Sequence, residues 1–396
     1  MMGGRERFSM QRLMVVTQIA VSLVLLVGAF LFVRSFRNLM MFDPGMREGS
    51  ITIAFFGFER SHVAPGHYEE FQHQLLDDVR SLPGVLSAAT TTFVPLVGGA
   101  WSHLVRVGSV DWWSRFTAVS PGFFQTMGIP LLKGRDFNQN DTAMSPRVAV
   151  VNQTFVRQAL GRADPIGKTL RTKPEPGYPS TAYEIVGVIP DTQYNDLRGE
   201  TPPMTFVPAS QYPTPEAWPW CYIMIHSNAT PPVLMTEIKR QLAEKHPEVV
   251  MEFSDLQARI RDGLVRERLM AMLSGFFGFL AALVTTVGVY GVISYIVVRR
   301  RNEIGIRMAL GAQCGQVVGM IMREAGRMLA IGVAAGAALA LMVGRGASSL
   351  LFGLKAYDPL TLVVATALLA AIAALASFVP AHRASRVDPM VALRWE

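Results

Sequence analysis

The sequence is short of charge. Only 17% of its 396 residues are Asp, Glu, Lys or Arg, against about 25% in a typical soluble domain. Half the residues are hydrophobic and the mean hydropathy is +0.29. These values exclude a disordered chain and point to a membrane protein. Cysteine is almost absent: two residues, Cys221 and Cys314, make no disulfide framework. Proline is missing between Ser254 and Pro359, so no imide breaks a helix there. Ionisable residues are missing from the middle of the apolar runs. Proton- or ion-coupled carriers place acids or broken helices near the bilayer midplane, so a solo channel or carrier is disfavoured. There is no Gly-x-Ser-x-Gly elbow.

What charge there is lies unevenly. Residues 43–262 hold 19 Lys+Arg and 23 Asp+Glu; the rest of the chain holds 18 and 7. The basic residues flank apolar runs and form no basic face on a polar domain, which argues against nucleic-acid binding. Four runs reach the roughly 20 residues that a bilayer requires: 13–33, 269–298, 328–344 and 360–379, the last expected to stop at Pro380. The first exceeds the roughly 7–15 apolar residues of a cleaved leader and lacks a clear small-x-small site, so it reads as a retained anchor.

Twelve basic residues flank the runs on one side, among them Arg12, Arg300, Arg323, Arg327, Arg386 and Arg394; six, including Arg34, Arg345 and Lys355, flank the other. By the positive-inside rule both termini are cytoplasmic. The expected division is 1–12 cytoplasmic, 13–42 first membrane helix with a stalk extension, 43–253 exported domain, 254–298 stalk and second helix, 299–327 cytoplasmic loop, 328–344 third helix, 345–359 outer loop, 360–379 fourth helix and 380–396 cytoplasmic tail. The fold class is a membrane protein: four transmembrane α-helices with a large α+β extracytoplasmic domain inserted between helices 1 and 2.

Within the exported region, Tyr68, Phe71, Leu75, Leu76 and Val79 at helical spacing predict a helix over 66–81. Strands are predicted at 85–92, 115–119, 148–151, 183–189, 204–207, 222–226 and 249–253, and helices at 153–160 and 233–244. Nothing there carries chemistry. His62, His67 and His73 have no i,i+4 pair and read as exposed histidines, not metal ligands. Asp77-Asp78 reads as a solvated helix end, Trp112-Trp113 as packing, and Cys221 as simply buried. The stretch from Gly161 to Thr169 imitates a phosphate-binding loop. It has five residues between Gly161 and Gly167 where the loop needs four, and Pro165 removes an amide donor. No catalytic residue, cofactor or metal is expected.

The helices suggest a transmitter. Ser254 to Gln257 fits a capping box, and one helix from Asp255 to Val298 would be about 66 Å long, twice the roughly 30 Å hydrocarbon core. The first helix is expected to run past Val33 toward Pro44. Together they would make a stalk. In the cytoplasmic loop Glu303 and Arg307 form an i,i+4 pair. Ile304, Met308 and Leu310 offer an apolar face rimmed by charge, which suits docking or a helix lying on the lipid surface. Gly275, Gly278, Gly288 and Gly291 in the second run, and Gly332 and Gly336 in the third, suit close helix packing within or between subunits. The cytoplasmic parts are too small to fold as an energy-coupling domain.

The segment "RRRNEIGIRMALGA", Arg299 to Ala312, and the ending "PAHRASRVDPMVALRWE", Pro380 to Glu396, resemble the FtsX-like ABC permease family, which includes macrolide-exporter and lipoprotein-release permeases. "AVSPGFFQTMGIPLLKGRDF", "VAVVNQTFVRQAL", "DPIGKTLR" and "YEIVGVIPDTQYNDLR" resemble that family's MacB-like periplasmic core domain. The likeness covers nearly the whole chain. The opening "QRLMVVTQIAVSLVLLVGAFLFVRSFRNL" is similar to the duplicated permeases of acidobacteria, which carry two copies of the module where one is seen here. The resemblance implies a non-catalytic inner-membrane permease subunit that transmits motion. It implies a separate cytoplasmic ABC ATPase partner and a homo- or hetero-dimer with another permease module. It assigns coupling to Arg301, Glu303, Ile304, Arg307, Met308 and Leu310. Two alternatives stay open: a membrane-anchored extracytoplasmic sensor or scaffold without an ATPase, and an exported membrane enzyme, for which no clustered nucleophile or metal site is visible.

Overall fold

The structure, a computed structural model, describes residues 3–47, 49, 51–59, 63–96, 101–194, 201–212, 218–310, 312–346 and 358–385. His62, Lys355, Arg386 and Arg394, most of the expected outer loop and most of the cytoplasmic tail lie outside those residues. The chain forms two compact units, Met1–Phe42 with Val265–Glu396, and Asp43–Leu264.

Helix α1 (Gly3–Met40) opens the first unit. The second unit runs β1 (Ile51–Gly57), α2 (Tyr68–Arg80), β2 (Val85–Thr91), β3 (Trp101–Val107), β4 (Val110–Val119), α3 (Phe123–Met127), β5 (Lys133–Gly134), β6 (Val148–Asn152), α4 (Gln153–Phe155), β7 (Thr169–Thr172), β8 (Ala182–Ile189), β9 (Met204–Pro208), β10 (Trp220–Ser227), α5 (Pro231–Lys245), β11 (Val250–Asp255) and α6 (Leu256–Gly263). Four strands lie in the order β11-β1-β10-β2, each antiparallel to its neighbour. With α2 and α5 this is a split β-α-β arrangement. Side chains alternate along a strand, so Ala54, Phe56, Ile223 and Ile225 meet Phe71, Leu75, Leu76, Ile238 and Leu242 of the two helices. Ile51, Ile53 and Met224 face the other way, onto Phe123, Phe124 and Phe206. The sheet is therefore buried on both sides.

Residues 92–219 are an insertion between β2 and β10, and their pairings form a closed circuit, β4-β3-β7-β8-β6-β9 and back to β4. Val105, Phe116, Ala149, Val151, Phe155, Leu170, Tyr183 and Ile185 fill it. The predicted strand at 115–119 is the second half of β4, which pairs with β3 through a tight turn at Gly108, φ +60°. The phosphate-loop imitation is committed elsewhere: Gly167 N–H donates to Ile185 C=O at 2.9 Å and Lys168 N–H to Pro165 C=O at 3.2 Å. Amides already bonded in the chain cannot cradle a phosphate.

Two expectations need correction at the end of this unit. Asp255, not Ser254, caps α6, its carboxylate accepting from Ala258 N–H at 3.1 Å. The helix then breaks at Leu264 before α7 (Val265–Arg299) begins, so no unbroken 255–298 helix exists. Even so, α7 is about 52 Å long, longer than the hydrocarbon core.

The membrane unit continues with α8 (Arg301–Ala309), α9 (Cys314–Gly346) and α10 (Pro359–Ala384). Helices α1, α7, α9 and α10 are each long and apolar enough to cross a bilayer, with the α+β domain between the first and second. Helix α10 runs through Pro380 for another turn, against the expected stop. Pro380, Ala381 and Ala384 are buried in the bundle, and packing against neighbours sustains a proline inside a membrane helix. Helix α1 ends at Met40, short of Pro44. Its Ser22 accepts from Thr285 Oγ1 of α7 at 2.6 Å, a buried polar link between two apolar helices.

Candidate functional site

The short helix α8 joins the two long helices α7 and α9. Ile304 is 4% exposed and shares an apolar cluster with Ile296, Val317, Ile321, Ala381 and Ala384. Met308, one turn later, is half-buried against the same cluster. These two predicted docking residues therefore face inward. A step of two residues is about 200° around a helix, so the outward face carries Ile306, 50% exposed, and then Leu310, 82% exposed. Leu310 thus lies on the opposite face from Ile304 and Met308, with which it was expected to share one; Ile306 was missed because the apolar pair nearer the core drew the pattern. Arg301, Glu303 and Arg307 are exposed around this face.

A chain of opposite charges holds α8. Arg307 Nη2 lies 2.6 Å from Glu303 Oε1, and Glu303 lies 4.0 Å from Arg300 at the start of the helix. Arg300 Nη1 reaches Glu324 Oε2 of α9 at 3.1 Å, while Arg12 of α1 pairs with the other oxygen of Glu324. Exposed pairs contribute little by themselves, roughly 0–1 kcal/mol. Glu324, at 15% side-chain exposure, is the member screened from solvent. It is also the only acid between Glu303 and Asp358, the one signal in the sequence that could have marked it.

The predicted packing glycines divide. A Cβ on Gly278 would fall 2.9 Å from the Ala29 side chain, on Gly332 2.6 Å from Ile19, and on Gly336 2.8 Å from the Ala20 carbonyl oxygen; Gly288 abuts Gln18. All four stand against α1. Gly275 and Gly291 have nothing within 4 Å, so among the described residues the close packing expected of them does not occur.

At the opposite end of the bundle Arg34 Nη1 meets Asp358 Oδ2 at 2.6 Å. Asp358 caps α10, accepting from Thr361 N–H at 3.0 Å and from the Thr361 hydroxyl. The hydroxyl first, then the amide and the guanidinium, keep this carboxyl below the usual carboxylate range against partial burial.

In the α+β unit, Cys221 is buried and its thiol is pushed up to about 12 by that burial. His67 sits in the turn before α2, His73 is exposed, and Asp78 accepts from Lys245 at 2.6 Å. Trp113 is 63% exposed while Trp112 packs on the inserted strands' core. Among the described residues no group of three or more His, Cys, Asp or Glu could hold a metal ion.

Residues 13–245 match the MacB-like periplasmic core domain, and residues 275–389 match the FtsX-like permease C-terminal domain. Over 256 residues the chain is 24% identical to "Macrolide export ATP-binding/permease protein MacB" of Neisseria meningitidis, covering 63% of this chain and 38% of that protein. Over 242 residues it is 25% identical to "Pyoverdine export ATP-binding/permease protein PvdT" of Pseudomonas aeruginosa, covering 59% and 34%. The match thus spans little more than a third of these relatives. The crystallised periplasmic region of MacB from Actinobacillus actinomycetemcomitans aligns with 56% of this chain and 95% of that one, at 14% identity and a TM-score of 0.40.

Proposed function

Since the chain belongs to the permease family that joins a MacB-like periplasmic core domain to an FtsX-like C-terminal domain, we propose that it is the non-catalytic transmembrane subunit of an ABC-type exporter. With four apolar helices and a periplasmic-type domain it is a multi-pass inner-membrane protein. In this reading both termini are cytoplasmic and the energy comes from an ATPase in another chain. The relatives' names pair ATP binding with a permease, which supports such a partner.

The observation that carries the proposal is the form of α8. It is fastened to the bundle through Ile304 and the Arg12–Glu324–Arg300 net, while Ile306 and Leu310 stand outward inside a ring of charge. An element that moves rigidly with α7 and α9, and exposes apolar anchors, suits transmission of force from a docked ATPase. Helix α7 carries that motion toward the domain that it follows in the chain, and α1 moves with it through Gly278 and the Ser22–Thr285 bond. Work on a substrate is done by the periplasmic domain, in a dimer with another permease module.

Mild-detergent purification from native membranes, followed by mass spectrometry and an ATPase assay, tests this. Recovery of an ABC ATPase that is lost from Ile306→Asp/Leu310→Asp supports the reading. A folded chain that never brings down an ATPase overturns it and leaves a sensor or scaffold.

A further inference from the structure

A cleft of about 980 Å³ opens between the first half of α1 and the first half of α9, close to the upper end for small-molecule sites. Its polarity is graded along both helices. On α1, Arg12 is followed by Leu13 and Val16; on α9, Arg323 and Arg327 are followed by Met328 and Ile331. Arg12 and Arg323 each lie nine residues into their helix, so the cations sit on the side where both helices begin, after Gln316 and Met320 on α9, and Met328 and Ile331 lie farther along the membrane-crossing segment.

The charges do not cancel. Arg12, Arg300, Arg323 and Arg327 line the cleft with Glu324 as its one acid, which leaves three positive charges. Both Glu324 oxygens are already engaged, by Arg12 and Arg300. Arg323 and Arg327 are exposed, one turn apart, and have no ion pair among the described residues. Two guanidinium groups without a counter-charge, at the rim of a cleft that turns apolar, suit an anion carrying a hydrocarbon tail.

We propose that this cleft binds an anionic phospholipid, the headgroup phosphate on Arg323 and Arg327 and the acyl chain against Met328 and Ile331. Guanidinium groups take phosphate by paired hydrogen bonds, and basic pockets between membrane helices suit anionic headgroups. The lipid would brace α9 where Glu324 anchors α8, so lipid composition would tune the junction. The proposal stands apart from ATPase coupling, because it is read on the isolated chain.

The test is native mass spectrometry of the purified full chain, equilibrated in detergent with equal amounts of phosphatidylglycerol and phosphatidylcholine. Phosphatidylglycerol should be retained about tenfold over phosphatidylcholine. Arg323→Gln/Arg327→Gln should weaken its binding by roughly 25-fold, about fivefold per charge. Arg323→Lys/Arg327→Lys, which keeps the charge and loses the paired hydrogen bonds, should bind at a level between the parent and the glutamine pair, which covers the case of a poorly folded glutamine variant. Arg266→Gln/Arg268→Gln, at the far end of α7, should change nothing. Equal retention of the two lipids, or no response to the glutamine pair in a folded chain, overturns the proposal. Displacement of the lipid by millimolar inorganic phosphate overturns it too, since the cleft would then be a site for any small anion.

Discussion

Gly336 of α9 lies so close to Ala20 of α1 that a Cβ added there would stand 2.8 Å from the Ala20 carbonyl oxygen and 3.0 Å from its Cα. Both obstacles are backbone, which cannot swing aside. Gly336→Val should therefore separate the helices and lower the unfolding temperature in detergent by several degrees. Gly275→Ala and Gly291→Ala, with nothing within 4 Å, should leave it unchanged, apart from any loss of self-association seen by cross-linking.

Ile304 and Leu310 belong to one short segment but should fail differently. Ile304→Ala empties a buried site and should cost about 2–4 kcal/mol of stability. Leu310→Asp touches solvent and should leave unfolding within about 0.5 kcal/mol of the parent. If the proposed docking is right, Leu310→Asp should nonetheless abolish ATPase recovery. Chemical denaturation and co-purification on the same two variants separate support from contact.

The two thiols should react at very different rates. Cys221 is buried with its thiol pushed up to about 12, so little thiolate exists at pH 8. Cys314 is exposed. Maleimide should label Cys314 in the folded protein and Cys221 only after denaturation. In intact cells a membrane-impermeant maleimide should miss Cys314 and reach it once the membrane is opened, as the proposed orientation requires.

Asp358 ties stability to pH. Its folded carboxyl is held below the ordinary value of about 3.9 by the Thr361 hydroxyl, the Thr361 amide and Arg34. A depressed carboxyl stabilises the fold above the unfolded value and loses that contribution as pH falls through the folded one. Asp358→Ala should cost about 1 kcal/mol at pH 7, as lost helix caps do. The gap from the parent should narrow when unfolding is followed down toward pH 3.

Where one element carries its own pattern, the sequence was enough. The helix with Phe71, Leu75, Leu76 and Val79 on one face is α2, and the four apolar runs all lie within long helices. The hairpin of β3 and β4 escaped notice because His103, a polar residue, occupies an inward position. It is satisfied there by Glu175 and Tyr212, each at 3.1 Å. The closed circuit of inserted strands depends on β4 meeting β9, nearly ninety residues later, and no local period records such a pairing. At α8 the charges were legible and the phase was not. Ile304 and Ile306 are both apolar, and only the packing of Val317 and Ala381 decides which of them turns inward.

The insertion at 92–219 leaves and rejoins the four-stranded sheet at two neighbouring strands, with Thr91 paired to Tyr222. Its two ends therefore meet. For the four strands the whole excursion is equivalent to a hairpin loop, and loop length costs little in closure entropy. The inserted circuit docks back on those strands, Thr91 pairing with Val119 and Phe123 and Phe124 capping Ile53 and Met224. An excursion that costs the sheet little in closure thus supplies the apolar cover for its second face.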